Sequence, residues 1–217
     1  YWRTDSPARD VFDAAHAEAT TAALLDTDVM LLSGITLSLY GAAGLWRLFG
    51  ALKEAKRRGI RIVFDTNYRP RNWPDPSIAR TAYGGLADVV DVMLAGEEDI
   101  ALLFGRTDTE VALRDWLDFD RTEVVLKCGP GDCRIWAEGR AWRASTERVA
   151  KVVDTTAAGD SFAAAYLAAR LSGAAPDAAA HAGHRLAAEV IRHPGAIIPL
   201  SAMPKPVLAP SAAELSM

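Results

Sequence analysis

Residues 154–162 read Asp-Thr-Thr-Ala-Ala-Gly-Asp-Ser-Phe, and the pattern around them predicts a helix over residues 160–171. The small residues at 157–159 let the backbone approach a ligand closely, and their N–H groups would lie at a helix N-terminus, where the macrodipole favours an anion. Asp160 would repel a bound phosphate unless it faces an attacking hydroxyl and removes its proton while the amides hold the phosphoryl group. An ordinary helix start with an acidic first turn is the alternative that this stretch leaves open.

On both sides of this stretch, segments typical of strands alternate with segments typical of helices. The pattern predicts strands at residues 28–32, 60–65, 89–94 and 123–127, and a hairpin at 133–137 and 141–144. Helices are predicted at residues 11–25, 41–58, 97–104, 160–171 and 176–193. Because the strands are continuously apolar, they indicate an α/β fold with a mostly parallel sheet covered by helices on both faces. No internal repeat or long linker interrupts the pattern, so we expect residues 1–217 to form a single domain.

The composition is that of a globular protein and excludes several functional classes. Of the 217 residues, 50% are hydrophobic and 24% are charged, and 24 basic against 28 acidic residues give a net charge of -4. This balance does not indicate a nucleic-acid partner, and no apolar run approaches the ~20 residues that a membrane-spanning helix needs. Cys128 and Cys133 are too few for a disulfide framework, so we expect a reduced pair in a cytoplasmic protein.

Residues 154–162 resemble the second signature of the ribokinase-like (PfkB) carbohydrate kinases, Asp-Thr-x-Gly-Ala-Gly-Asp-x-Phe. The resemblance implies a ribokinase-like fold, ATP as the phosphoryl donor and Mg²⁺ as a cofactor. It also implies that Asp160 is the catalytic base and that Ala157, Ala158 and Gly159 form the anion hole. Ala157 stands where the family usually has glycine, so a positive φ at this position would strain the backbone.

Residues 65–74, Asp-Thr-Asn-Tyr-Arg-Pro-Arg-Asn-Trp-Pro, resemble a segment of the 2-keto-3-deoxygluconate kinases, a sugar-acid branch of that family. The resemblance implies that Arg69 reaches the substrate carboxylate and that Asn67 also contacts the substrate. Tyr1 and Arg3 match the Tyr-x-Arg with which that branch contacts the sugar acid. Arginines suit an anionic substrate because a guanidinium binds a carboxylate through paired hydrogen bonds. A solvated surface charge is the alternative for each arginine.

Weaker matches concern the nucleotide. Lys127, Gly129 and Gly131 resemble the family's Lys-x-Gly-x-x-Gly region beside the ATP phosphates, where a plain tight turn is the alternative. His181 falls where family members place Asn or His against the adenine, although a lone helical histidine is more often structural. Residues 195–199 match the closing loop that borders the nucleotide pocket.

Residues 96–99, Gly-Glu-Glu-Asp, fall where the family has Asn-x-x-Glu, an acidic motif tied to Mg²⁺ through water. The resemblance therefore implies that Asp99 or Glu98 contacts the ion through water. Mg²⁺ keeps several waters and needs few direct protein ligands, so the substitutions are tolerable. The alternative is that these acidic residues, above all Glu97, only interact favourably with the dipole at the start of a helix.

The resemblance as a whole implies an ATP-dependent kinase that phosphorylates the primary hydroxyl of 2-keto-3-deoxy-D-gluconate to the 6-phosphate. The partners are then a small sugar acid and ATP, and a homo-oligomer remains open. A family kinase for a neutral sugar of the fructose or ribose type is the nearest alternative, and a catalytically silent nucleotide- or sugar-binding member is another. A nicotinamide dehydrogenase is disfavoured because no Gly-x-Gly-x-x-Gly turn follows the first strands.

The sequence begins at Tyr1, and the resemblance does not include the family's N-terminal segment and lid. We therefore expect a partial ribokinase-like domain. Since phosphoryl transfer needs water excluded and the hydroxyl aligned, we expect these 217 residues alone to have little activity.

Overall fold

The computed structural model describes residues 6–146 and 148–205. The chain divides into two compact units, Tyr1–Leu126 and Lys127–Met217. The strands of the first unit are β1 (Val29–Ser33), β2 (Arg61–Asp65), β3 (Val92–Gly96) and β4 (Glu123–Lys127), of which the last residue, Lys127, belongs to the second unit. Its helices are α1 (Ala17–Leu25), α2 (Gly34–Leu37), α3 (Ala42–Arg57), α4 (Pro76–Gly84), α5 (Glu97–Phe104) and α6 (Thr109–Trp116). The second unit contains β5 (Cys133–Ala137), β6 (Arg140–Ala144), α7 (Ala158–Leu171) and α8 (Pro176–Val190).

The strands of the first unit lie side by side in chain order. β1 pairs parallel with β2, with Ser33 opposite Asp65, and β2 pairs parallel with β3, with Asp65 opposite Leu94. Parallel strands end at the same edge of a sheet, which is where ligands bind in open α/β folds. The segments that leave β1, β2 and β3 therefore begin close together.

An aromatic cluster fills the space beneath this edge. Tyr83 of α4 is fully buried, and its ring makes edge-to-face contacts with the rings of Phe64, Tyr68 and Trp73 at centroid distances of 5.4, 5.9 and 6.2 Å. Such pairs add about 0.5–1.5 kcal/mol each beyond the burial of their area. The cluster fixes the backbone that follows β2.

The second unit consists of a hairpin and a helix pair. β5 and β6 pair antiparallel, with Cys133 opposite Ala144. α7 and α8 pack closely because Gly183 offers no side chain to the ring of Phe162, from which a Cβ would lie only 2.7 Å away. The start of α7 is thereby held against α8.

The predicted strands and most of the predicted helices are confirmed, with differences at particular boundaries. The prediction of helix at residues 11–16 was wrong, because the Asp13 carboxylate accepts hydrogen bonds from the N–H groups of Ala15 and His16 and forms a turn. Helices α2, α4 and α6 were not predicted. In the ranges that the structure covers, no helix combines the length and apolar character that crossing a membrane requires. The single domain stays a prediction.

Candidate active site

The loop before α7 has the backbone geometry of an anion site. Ala157 caps the helix in the left-handed region, with φ 60° and ψ 15°, and its carbonyl accepts the first helical hydrogen bond from the Ser161 N–H at 2.9 Å. The Ala158 N–H donates to the Thr155 carbonyl at 3.2 Å. Within residues 6–146 and 148–205, no acceptor binds the N–H groups of Ala157 and Gly159. Two of the three predicted amides are therefore available to an anion at this helix N-terminus.

Asp160 lies in the first turn of α7 and is exposed to solvent. No cation of the described residues forms an ion pair with its carboxylate. Among the described residues of the second unit, no cation therefore competes with a ligand hydroxyl for this group, as a general base requires.

Lys127 lies beside the same loop. Its Nζ is 3.7 Å from the point that a Cβ on Gly159 would occupy. The structure thus brings together the predicted phosphate-contacting lysine and the predicted anion loop. The turn after Lys127 is closed by a hydrogen bond from the Gly131 N–H to the Cys128 carbonyl at 2.9 Å, with Gly129 at φ 58°.

Asp154 is a residue of this site whose contribution the sequence analysis missed. Its Oδ1 accepts hydrogen bonds from the N–H and the Oγ1 of Thr156 at 2.9 and 2.7 Å, and its Oδ2 accepts one from the Gly195 N–H at 2.9 Å. These hydrogen bonds, those from Thr156 above all, hold the pKa of Asp154 below its ordinary value. The carboxylate therefore ties the anion loop to the closing loop at residues 195–199. The Asp-x-Thr spacing, typical of a local turn, is the sequence signal that could have revealed it.

Two histidines of α8 differ in their surroundings. His181, the predicted adenine contact, is exposed. His184, which was not predicted, packs its ring edge-on against Phe162 at a centroid distance of 5.1 Å. Burial lowers the pKa of His184, so its ring is neutral at neutral pH. His184 supports the first turn of α7 by packing, while the role of His181 stays a prediction.

The backbone strain at Ala157 should have a measurable effect on the free energy of unfolding. A residue with a Cβ destabilises the folded chain by roughly 1–2 kcal/mol when its backbone is left-handed. Replacing it with glycine removes this strain, but part of the gain is lost because glycine has greater freedom in the unfolded chain. Ala157→Gly should therefore raise the free energy of unfolding by about 0.5–1 kcal/mol, measured by urea denaturation.

The control for this substitution is Ala164→Gly, at an exposed position inside α7. The same chemical change there should lower the stability by roughly 1 kcal/mol, since glycine is a poor helix former. Losses of similar size in both variants would contradict a strained backbone at residue 157.

In the first unit, the turn after β2 is held by contacts to three other segments. The Tyr83 hydroxyl donates to the Thr66 carbonyl at 2.5 Å, and burial raises the pKa of Tyr83 well above its ordinary value, so the hydroxyl remains a donor. The Thr66 Oγ1 donates to the Asp99 Oδ2 at 2.7 Å. The Asn67 Nδ2 donates to the Ser33 Oγ at 3.0 Å. Asn67 itself is left-handed, at φ 31°, so the chain reverses sharply here.

This turn presents Arg69 at the surface. Its side chain is 57% exposed, and its Nη1 donates to the Tyr68 carbonyl at 3.3 Å and lies 4.0 Å from the Asp99 Oδ1. Its other guanidinium N–H groups have no acceptor among the residues that the structure describes. Arg69 can therefore offer paired donors to a carboxylate.

The two predicted metal-contacting residues lie in the first turn of α5. Glu98 is exposed, whereas the Asp99 side chain is only 17% exposed and is bound to Thr66. In the described ranges, no group of three or more His, Cys, Asp or Glu side chains could hold a metal ion. Tyr1 and Arg3, the other predicted substrate contacts, lie outside the described residues.

Comparison with known proteins tests the family that the sequence indicates. A family model described as pfkB family carbohydrate kinase matches residues 3–203. A 2-dehydro-3-deoxygluconokinase from Dickeya dadantii (strain 3937) is 38% identical over 207 residues, which are 94% of this chain and 67% of that protein. A PfkB family carbohydrate kinase from Listeria grayi DSM 20601 has a TM-score of 0.67 at 27% identity and covers 82% of this chain and 58% of that chain. A candidate ribokinase II from E. coli, solved with ATP and Mg²⁺, has a TM-score of 0.69 at 22% identity over 81% of this chain and 56% of that chain.

The chain thus spans about two thirds of the curated relative and just over half of each solved structure. The name of the curated relative denotes the same sugar acid, 2-keto-3-deoxygluconate, that residues 65–74 indicated. The predicted ribokinase-like fold and the predicted class of sugar kinase are confirmed. Because the family model covers nearly the whole sequence, the chain belongs to the pfkB family of carbohydrate kinases.

Proposed function

We propose that this protein transfers the γ-phosphoryl group of ATP to the primary hydroxyl of 2-keto-3-deoxy-D-gluconate, giving the 6-phosphate and ADP. The observation that carries the proposal is the start of α7, where the open amides are followed directly by Asp160, and the Lys127 Nζ lies 3.7 Å from the point that a Cβ on Gly159 would occupy. The identity of 38% to a 2-dehydro-3-deoxygluconokinase supports the choice of substrate.

Asp160 acts as the general base. Its carboxylate takes the proton from the primary hydroxyl, whose oxygen attacks the γ-phosphorus in line while the bond to the ADP oxygen breaks. The N–H groups of Ala157 and Gly159 stabilise the negative charge on the transferred phosphoryl group. Phosphoryl transfer depends on such positioning and electrostatic stabilisation rather than on covalent chemistry by the protein.

The nucleotide is bound by residues of the second unit. Lys127 contacts the phosphates, the turn with Gly129 and Gly131 lies along them, and His181 lies against the adenine. Mg²⁺, when bound, neutralises charge on the phosphates, and the exposed carboxylate of Glu98 fits an ion held through water.

Arg69 recognises the substrate carboxylate, and this contact distinguishes a sugar-acid kinase from a neutral-sugar kinase. A hydrogen bond to a charged group contributes about 1.5–3 kcal/mol, so Arg69→Ala should raise the KM for 2-keto-3-deoxygluconate by roughly 10–100-fold. The KM for ATP should change little. Initial rates of ADP formation over a range of sugar-acid concentrations measure the effect.

Arg71→Ala is the matched control, because Arg71 lies two residues further along the same turn and is also exposed. It should leave the KM for the sugar acid unchanged. If Arg69→Ala instead raised the KM for neutral sugars such as fructose or ribose by the same factor, a carboxylate contact would be refuted and a neutral-sugar kinase favoured.

A further inference from the structure

Among the residues that the structure describes, Asp99 contacts Thr66 and Arg69. Its Oδ2 accepts the hydrogen bond from the Thr66 Oγ1 at 2.7 Å, and Thr66 in turn accepts one from the Gly96 N–H at 3.0 Å. The Thr66 hydrogen is therefore committed to Asp99, since the backbone amide occupies the acceptor side of the hydroxyl. This chain of hydrogen bonds fixes the plane of the carboxylate.

Gly96 makes this arrangement possible. A Cβ on residue 96 would lie 2.9 Å from the Asp99 Oδ2 and 3.2 Å from its Cγ. The carboxylate thus occupies space that any larger side chain at position 96 would need. Gly96 and Asp99 are the two departures from the Asn-x-x-Glu pattern. They depend on each other, because the space left by Gly96 lets the Asp99 carboxylate turn back toward Thr66.

The second carboxylate oxygen faces Arg69. The Oδ1 of Asp99 lies 4.0 Å from the Arg69 Nη1, and the aspartate side chain is 17% exposed against 57% for the arginine. Asp99 is therefore the fixed member of the pair and Arg69 the movable one. Because the aspartate of this pair is mostly buried, the pair is screened by salt less than one between two exposed side chains. The only other partner of the guanidinium in the described ranges is the Tyr68 carbonyl, at 3.3 Å.

We propose that Asp99 is a positioning residue that orients the Arg69 guanidinium for the carboxylate of the sugar acid. The inference rests on the proposed function, because it assigns Asp99 to recognition of the substrate through Arg69. It departs from the expectation that the acidic residue at this point of the motif serves Mg²⁺. The exposed neighbour Glu98 remains for that task.

Asp99→Asn tests the inference, because asparagine keeps the size and can still accept from Thr66 but carries no charge. Residues in contact are energetically coupled, so the KM for 2-keto-3-deoxygluconate should rise by about tenfold. The kcat and the Mg²⁺ concentration for half-maximal rate should stay within about twofold. In the Arg69→Ala background, Asp99→Asn should add less than about a twofold change in KM.

Glu97→Gln is the control, since it removes the same charge from the same turn of α5 and should leave the KM for the sugar acid unchanged. The inference is overturned if Asp99→Asn leaves that KM unchanged, or if it raises the Mg²⁺ requirement and lowers kcat equally with and without Arg69.

The order of the Arg69 side chain gives a readout that needs no substrate. The NMR order parameter of its Nε–H group should fall in Asp99→Asn and stay constant in Glu97→Gln. If the protein phosphorylates no sugar acid at all, the proposed function fails. The positioning role is refuted separately, by an order parameter of Arg69 that stays unchanged in Asp99→Asn.

Discussion

Replacing Asp160 with asparagine is expected to lower kcat by ~10²–10⁴, the usual contribution of general acid–base catalysis. Asparagine keeps the shape of the side chain but cannot accept the proton of the attacking hydroxyl. The loop amides and Lys127 are unchanged by the substitution, so ATP should bind with nearly the same affinity. Turnover is measured by ADP formation, and ATP affinity by equilibrium titration.

Asp177→Asn is the matched control for this experiment. Asp177 lies in the first turn of α8, so its substitution removes the same charge from the start of the neighbouring helix. Its kcat should equal that of the unsubstituted protein. Undiminished turnover by Asp160→Asn would remove Asp160 from its role as base, whereas a large loss of ATP affinity would show that its main contribution is to nucleotide binding.

The largest expected effect on stability belongs to Gly34→Ala. A Cβ at this position would lie 1.9 Å from the Thr66 carbonyl oxygen and 2.0 Å from the Tyr83 hydroxyl oxygen. Overpacking costs about 1–3 kcal/mol, and loss of the hydrogen bond between these two groups leaves a buried hydroxyl without a partner, at about 1–3 kcal/mol more. We expect the free energy of unfolding to fall by roughly 2–6 kcal/mol, a large share of a typical total.

Urea denaturation followed by tryptophan fluorescence measures this loss, because Trp73 and Trp116 both lie against Tyr83. Gly50→Ala is the control, since nothing lies within 4 Å of a Cβ on this residue in the middle of α3. It should raise the stability by about 0.5–1 kcal/mol. An unchanged denaturation midpoint for Gly34→Ala would refute the close contact at this residue.

Local patterns predicted most of the secondary structure. The predicted strand at residues 123–127 coincides with β4, and the predicted helix at 97–104 coincides with α5, because continuous apolar runs and a glycine stop are local signals. The start of α4 also has a local signal, an Asp75 cap followed by proline, which was overlooked. The prediction for β3 began three residues early, because residues 89 and 90 form a turn with hydrogen bonds to the Leu86 carbonyl.

The candidate site was predictable only in part. The anion loop and Asp160 belong to a continuous motif, so their placement at the start of α7 followed from the sequence. The contact between Thr66 and Asp99 joins residues 33 positions apart, and no periodicity or propensity indicates it. The left-handed backbone at Ala157 could not be predicted outright, because alanine does not itself signal a positive φ. The sequence allowed only the statement that a positive φ there would strain the backbone.

The contact of Phe162 with Gly183 has a consequence for motion in the second unit. Since the ring fills the space where a side chain would stand, α7 and α8 cannot slide past each other without a steric clash. We therefore expect the two helices to move together, so that Asp160 in α7 and His181 in α8 keep their separation. Under the proposed function, the distance between the proposed base and the proposed adenine contact would then stay the same for different acceptor sugars.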